Sequence, residues 1–312
     1  YSFCHHIIKL CVQFANYSGI SSSWLKGVCN FSILVWQFAK IHYNISKSIS
    51  QSQFTLKASI MINFNHLSPD VNKCQQASTI QHAKYIQTLW QQFHQRPIAK
   101  LQIILEKISP PPWQNFYHRW QLIQNNTKDE AQDEQMLTDW LIHLFDLLFN
   151  HMYFDQIPTV LVRGESEPEY FPSEHNAPAR IEFAHGFFQS ALHEISHWCI
   201  AGQARRKLND FGYWYESDGR NEQTQRLFEQ VEIKPQAIEA LLTLACGRYF
   251  YVSQDNLNAN FDISNSTFAQ DVFNQAKFYL SNPSTLPTDA QLLLWVILTL
   301  SHSNYYTTIK MR

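Results

Sequence analysis

His193, Glu194 and His197 lie in the run Phe187-Phe188-Gln189-Ser190-Ala191-Leu192-His193-Glu194-Ile195-Ser196-His197-Trp198-Cys199-Ile200-Ala201-Gly202. On a helix, side chains four apart share a face, with Cβ atoms about 5–6 Å apart. Two imidazoles at this spacing can converge on one metal ion, and H-E-x-x-H is a metal-site pattern for that reason. The flanking Phe187, Phe188, Ala191, Leu192, Ile195, Trp198, Cys199 and Ile200 leave hardly any polar face. A helix apolar on most sides is buried, and buried His and Glu are costly without partners. A metal ion supplies such a partner. Two core histidines satisfied by hydrogen bonds are the competing reading; the apolar setting and the helix-stopping Gly202 argue against it.

Two histidines do not hold a catalytic metal alone. A third ligand is expected from a separate helix, leaving positions open for water, oxygen or substrate. The segment Phe228-Glu229-Gln230-Val231-Glu232-Ile233-Lys234-Pro235-Gln236 is the place to find it. Glu229 and Glu232 share a helical face, so one can ligate while the other orients a ligand. Glu232 is favoured as the ligand because Val231 and Ile233 flank it, although solvated helix glutamates are the commoner case. Glu194, one residue after His193, points about 100° away around the helix and is not expected to ligate. In peptidases with this pattern that glutamate is the general base acting on metal-bound water. His185 and His175 are weaker candidates, read as strand-end and loop residues. On the pattern alone, a zinc metallopeptidase of the H-E-x-x-H plus glutamate type leads.

The elements that must carry these residues can be traced along the chain. Ile80, Ala83, Ile86, Leu89, Trp90 and Phe93 follow a helical period. Pro97 starts a second helix to about Ile108, Pro110-Pro111-Pro112 breaks the chain, and Trp113–Ile123 is a third amphipathic segment. The polar stretch 125–134 reads as a linker and domain boundary. Beyond it come an apolar helix over Leu137–Phe149, a strand over 159–162, a loop over Glu165–Pro178 and a second strand over 180–184 that delivers the chain into the motif helix. After Gly202, Arg205-Arg206-Lys207 reads as a solvated basic helix exit. Gln223–Lys234 is helical, and Pro235 kinks it or starts another helix running to Cys246. The expected fold class is α+β, with a small sheet packed on the H-E-x-x-H helix and a helical N-terminal extension.

The 312 residues are 45% hydrophobic and 14% aromatic, enough for a substantial core, and the net charge of −2 without a basic run argues against nucleic-acid binding. The six scattered cysteines form no C-x-x-C pair and suit a reducing, cytoplasmic setting. No Asp or Glu precedes Asp70, and Met61 is the first methionine. Residues 1–60 therefore read either as an acidic-poor targeting or membrane-associated extension, or, preferably, as an upstream extension that is not native product. The apolar stretch Phe31–Ala39 is too short to span a bilayer. Three regions are expected: 1–60, of doubtful nature; 61–132, helical and of unknown role; and 133–312, the metal-dependent domain.

Residues from about 136 to 308 resemble the elongation factor P hydroxylase family. The resemblance is carried by long words: Phe183-Ala184-His185-Gly186-Phe187, Ser190-Ala191 and the stretch His193–Gly202, then Asp210-Phe211-Gly212-Tyr213-Trp214-Tyr215 and Asp218-Gly219-Arg220. Gln223-Thr224-Gln225, Phe228-Glu229, Val231-Glu232, Lys234-Pro235-Gln236-Ala237 and Asn304-Tyr305-Tyr306 continue it. Residues 1–132 fall outside the likeness.

The resemblance implies a hydroxylase with a metallopeptidase-like core that acts on the β-lysylated lysine of elongation factor P. It also implies a 2-His-1-carboxylate metal set, which maps onto His193, His197 and Glu232. Such a set suits non-haem Fe(II), with zinc the alternative, and dioxygen as co-substrate; the electron donor stays open. Catalytic roles then fall to Glu194 and Glu229. Asp210, Glu216, Asp218 and Glu229 are candidates to line the approach of an amine-bearing side chain, and Tyr213, Trp214 and Tyr215 to enclose its stem. The ordinary alternatives are a packed aromatic loop and an Asp218-Gly219 turn. Elongation factor P is the expected partner, with no membrane or direct nucleic-acid contact. Besides the peptidase, a non-catalytic metal-containing module that binds the factor remains a further reading.

Overall fold

Burying the apolar sides of the motif helix requires a sheet on one flank and helices on the others, and the computed structural model of the chain supplies both. It describes residues 62–312 except 97, 99–109, 126–129, 153–156, 214–218, 255–260, 262–265, 303–304 and 306–312. The expected extension 1–60 and most of the helix expected from Pro97 to Ile108 lie outside the described residues.

Helix α1 (Val71–Ala77) opens on Asp70, whose carboxylate accepts from the Asn72 and Lys73 N–H groups. Helix α2 (Ile80–Gln95), capped by Thr79, buries Ala83, Ile86, Leu89, Trp90 and Phe93, as their spacing predicts. In α3 (Pro110–Asn125) the three prolines form the first turn instead of ending the chain before it. A first-turn position has no intrahelical N–H bond to lose, so proline is tolerated there. Helix α4 (Glu130–Asp146) runs into a wider π-type turn, Leu147–His151. It begins inside the stretch expected to be a linker.

Three strands follow: β1 (Thr159–Arg163), β2 (Glu169–Phe171) and β3 (Ala179–Phe183), in the spatial order β1-β3-β2. β1 runs parallel to β3 with Leu161 beside Ile181, and β2 runs antiparallel to β3 with Tyr170 beside Ile181. Burial alternates along β1 and β3, as a sheet with one covered face requires. β3 packs on α5 (Phe188–Arg205), the motif helix, and β1 packs on α4. The short β2 lies in the segment expected to be a loop; only three residues of it pair, too few to show alternation in sequence. Helices α6 (Glu222–Ala245), α7 (Phe268–Ser281) and α8 (Thr288–Ser301) follow. α6 is continuous with Pro235 inside it. The N–H that Pro235 lacks would bond the carbonyl of Val231, an exposed residue, where water can take its place.

The architecture is α+β, mostly helical with one small sheet. Its core is rich in tryptophan, with Trp90, Trp113, Trp120, Trp140 and Trp198 fully buried. Two of these rings find polar partners: Trp90 Nε1 donates to the Leu67 carbonyl at 2.9 Å and Trp140 Nε1 to the Phe116 carbonyl at 3.0 Å. α8 is buried almost all round, from Leu292 to Leu300. It ties α2 to the rest: Trp295 Nε1 donates to the His94 carbonyl at 2.8 Å, and the His94 ring stacks on Trp295 at 4.8 Å.

The described residues of 62–216, 226–253 and 266–312 cluster as one compact unit, and those of 217–225 and 254–265 belong to a second. Within the second, Arg220 Nε donates to Gln225 Oε1 at 3.0 Å and Gln225 Nε2 donates to the Gln254 carbonyl at 3.0 Å. Among the described residues no helix is long and apolar enough to cross a membrane.

Candidate metal centre

The chain enters α5 through a left-handed corner. His185 and Gly186 have φ of 52° and 73°, and a Cβ on Gly186 would also stand 3.2 Å from the Arg163 side chain. Phe187 provides no side-chain cap. Capping comes from elsewhere: the Phe188 N–H donates to Glu134 Oε1 at 2.9 Å, and the Ala184 N–H donates to Ser190 Oγ at 3.0 Å. Glu134 Oε2 also accepts from Arg248 Nη2 at 2.8 Å. Glu134, at the end of the stretch read as a linker, thus anchors the motif helix.

At its other end α5 bends at Gly202 (φ 64°, ψ 177°) and runs on to Arg205. Arg206, expected in a solvated exit, is 1% exposed. Its guanidinium lies 3.3 Å from the centre of the Trp198 ring, donates to the Trp198 carbonyl at 3.0 and 2.9 Å, and meets Asp289 Oδ2 of α8 at 2.8 Å. The helix C-terminal carbonyl and the acid together explain a buried arginine.

Phe188, Ala191, Leu192, Ile195, Trp198 and Cys199 bury one broad side of α5, leaving Gln189, His193, Glu194 and His197 half-buried. This is the side that meets α6. His193 Nε2 and His197 Nε2 stand 3.1 Å apart. Glu232 reaches both: Oε1 is 3.1 Å from His197 Nε2 and Oε2 is 3.8 Å from His193 Nε2. Two donors bonded to one ion at about 2.1 Å are separated by about 3.0 Å when octahedral and about 3.4 Å when tetrahedral. Two of the observed separations, at 3.1 Å, fall between those values and the third, at 3.8 Å, is slightly longer, so two imidazoles and one carboxylate fit a shared metal ion. Among the described residues, His193, His197 and Glu232 form the group of three donors able to hold one.

The electrostatics agree with the geometry. Burial alone would lower the His193 pKa, but Glu239, hydrogen-bonded to it, and then Glu232 and Glu194 raise it to about 10. Burial would raise the Glu232 pKa, yet His197, then His193 and Gln236, hold it at about 2. Burial pushes the Glu194 pKa up against the pull of the two imidazoles. Acidic groups thus surround the imidazoles and favour positive charge at the centre of the group, as a cation would supply.

A family model described as "Elongation factor P hydroxylase" matches residues 148–310. The chain belongs to the elongation factor P hydroxylase family. A protein named elongation factor P lysine hydroxylase, from Haemophilus influenzae, is 48% identical over 147 residues, covering 47% of this chain and 81% of that protein. All three donors lie in the family span, whereas Glu134 precedes it.

The other residues singled out from sequence fall in different places. Glu194 sits beside the donors in sequence and in the field of both imidazoles. Glu229 is one turn ahead of Glu232, and its Oε2 accepts from Ser266 Oγ at 2.9 Å. Asp210 Oδ1 accepts the Tyr170 N–H at 2.9 Å, while Tyr170 stacks on Phe211 at 4.1 Å. These contacts hold the left-handed Asp210-Phe211-Gly212 corner, with φ of 45°, 58° and 67°, which brings Tyr213 within 6.4 Å of the His197 ring. The Arg205 guanidinium covers the Tyr213 ring at 3.6 Å. Trp214, Tyr215, Glu216 and Asp218 lie outside the described residues. His185 is exposed at the corner before α5, and His175 occupies a left-handed turn position.

Sequence reasoning passed over Glu239, which bonds His193 Nδ1, and gave no role to Gln236, which donates to Glu232 Oε2 at 3.2 Å. The signal for Glu239 was available: a single acid inside Ala237-Ile238-Glu239-Ala240-Leu241-Leu242, seven residues after Glu232 on the same helical face.

Proposed function

We propose that this protein hydroxylates the β-lysylated lysine side chain of elongation factor P at a metal centre held by His193, His197 and Glu232. The observation that carries the metal reading is the convergence of two imidazole nitrogens and one carboxylate at separations of 3.1 to 3.8 Å. Family membership and the name of the Haemophilus relative support the reaction and its protein substrate. Non-haem Fe(II), the metal suited to a 2-His-1-carboxylate set, supplies the oxidising chemistry with dioxygen when bound. One oxygen atom enters a substrate C–H bond; the other leaves as water, with two electrons and two protons from a separate reductant.

The chain's own residues do the holding and shaping. His193 and His197 offer Nε2 lone pairs from one face of α5, and Glu232 brings the balancing negative charge from α6. Glu194 adds a further carboxylate beside the donors, favouring approach of a side chain that carries ammonium groups. Tyr213, beside His197, walls the space where the aliphatic stem would lie. Arg205 occupies one face of its ring. Asp210 holds the corner on which Tyr213 stands. Sheet, H-E-x-x-H helix and downstream glutamate helix follow in the order of a metallopeptidase-like core, and we read the fold in that way. A translation factor as substrate places the reaction in the cytoplasm.

The test is mass spectrometry of β-lysylated elongation factor P incubated with anaerobically purified, Fe(II)-loaded protein and a reductant. A gain of one oxygen atom that disappears in His193→Ala and His197→Ala supports the reading. Zinc-dependent peptide cleavage that requires Glu194, with no mass gain, would sink it in favour of a peptidase.

A further inference from the structure

Glu239 is a buried acid that the donor set does not use. It is 4% exposed and stands among Ala237, Ile238, Ala240, Leu241 and Leu242, all buried. A carboxylate there is costly unless its oxygens are bonded. Both are bonded: Oε2 lies 2.8 Å from His193 Nδ1, and Oε1 accepts from Gln189 Nε2. The same amide nitrogen donates to Thr243 Oγ1 at 3.1 Å. Gln189 and His193 are one turn apart on α5, as Glu239 and Thr243 are on α6. The four side chains form a polar chain, Thr243–Gln189–Glu239–His193, that ends on the face of the imidazole ring system turned away from His197.

We propose that Glu239 is the positioning residue of the metal centre. A neutral imidazole carries one N–H. By accepting the Nδ1–H of His193, Glu239 selects the tautomer whose Nε2 bears the lone pair. It also turns that nitrogen toward the point shared by His197 Nε2 and Glu232. Gln189 fixes the Glu239 carboxylate in turn, and Thr243 fixes Gln189. Gln236 performs the matching task for Glu232: its Nε2 donates to Glu232 Oε2, while the Ser253 carbonyl and N–H hold its amide at 2.7 and 3.0 Å. Residues 232, 236, 239 and 243 follow one another at steps of four, three and four, so a single face of α6 carries one ligand and the groups that orient two. Partners of this kind set ligand orientation and basicity as well as tautomer.

This inference rests on the His193, His197, Glu232 donor set, and the experiment separates the two. Full-length wild type, Glu239→Ala, Glu239→Gln and Gln189→Leu are compared by chelator competition for Zn(II) and by the Co(II) absorption spectrum, with circular dichroism to establish folding. Glu239→Ala is expected to weaken Zn(II) binding by about 10- to 100-fold and to change the Co(II) spectrum. Glu239→Gln retains an oxygen that can accept the Nδ1–H, so it should keep a spectrum close to wild type and recover much of the affinity. Gln189→Leu should weaken binding in the same direction, to a smaller extent, and serves if the alanine variant fails to fold. Wild-type affinity and spectrum in Glu239→Ala, or in Gln189→Leu and Glu239→Gln together where the alanine variant does not fold, overturn the positioning role while leaving the donor set standing. Absence of Zn(II) and Co(II) binding by wild type overturns the donor set itself, and with it this role.

Discussion

Replacing Glu134 by alanine tests whether the segment ahead of the family span holds the H-E-x-x-H helix in place. The residue lies on α4, yet its Oε1 accepts the Phe188 N–H at the first turn of α5 and its Oε2 meets Arg248 at 2.8 Å. Phe187 offers no cap of its own, so the substitution leaves that N–H without its acceptor. Loss of an N-terminal side-chain acceptor costs about 1 kcal/mol, within a range of about 0.5–2. Removing negative charge from a helix N-terminus adds about 0.3–1 kcal/mol. The Arg248 pair is partly exposed and contributes about 0–1 kcal/mol. Because one carboxylate makes all three interactions, they overlap, and the expected total is about 2 kcal/mol. In a chain of this size that lowers the unfolding midpoint by roughly 3–4 °C. The assay is denaturant and thermal unfolding of Glu134→Ala, Glu134→Gln, Arg248→Ala and the Glu134→Ala/Arg248→Ala double variant. Glu134→Gln should fall between wild type and alanine, since its amide oxygen can still accept the N–H. Arg248→Ala should cost less than half as much as Glu134→Ala. If the double variant is no less stable than Arg248→Ala alone, the carboxylate serves the ion pair and not the helix, and the reasoning fails.

Three further outcomes follow from the same physics. Arg206→Met strands Asp289 in the core and should destabilise by about 3–5 kcal/mol, whereas Arg206→Met with Asp289→Leu should recover most of that in denaturant melts, as apolar replacements of buried ion pairs do. Gly186→Ala puts a Cβ on a left-handed residue 3.2 Å from Arg163 and should cost about 1–2 kcal/mol by the same measurement. His302 is held below the usual histidine pKa by burial, with its Nε2 at 3.0 Å from the Ala245 carbonyl. A lowered pKa means the unfolded chain binds the proton first, so the stability His302 contributes is complete above about pH 6.5 and is lost as pH falls from there. Unfolding midpoints taken at several pH values should decline less steeply on that side in His302→Gln than in wild type; equal slopes would refute the assignment.

How legible these features were depends on whether one stretch of chain determines them. The imidazole pair was readable because four residues on one helix fix the spacing; Glu232 was favoured on its flanking residues, but Val231 is exposed and marks no buried face. α2, β1 and β3 were readable for similar local reasons. β2 was not: a three-residue strand is defined by its pairing with β3, and Glu169-Tyr170-Phe171 carries no period of its own. The start of α4 was misread because the carboxylate of Glu134 serves two distant partners, the Phe188 N–H and Arg248. Arg206 was misread in the same way, since the acid that buries it comes from α8. Glu229 and Glu232 looked alike in sequence; their difference is that one meets Ser266 and the other meets two imidazoles.

The most consequential miss concerns α6. A lone glutamate in an apolar run is a demand for a partner, and a lone histidine pair on a facing helix has spare Nδ1 groups to offer. Taken together, the two sequence signals pair Glu239 with α5; the ring it meets is His193. The same reasoning explains why Pro235 does not divide α6 into two independent helices. Glu232 precedes the proline, while Gln236, Glu239 and Thr243 follow it, and their joint alignment on α5 requires one continuous helical register across the break in backbone bonding. A shift of that register by one residue would turn every member of the row by about 100° and take Glu232, Gln236 and Glu239 away from the imidazoles at once. The donor set and its supporting bonds therefore stand or fall as one surface of α6, which is why the decisive measurements are metal affinity and ligand-field spectrum in variants of that row.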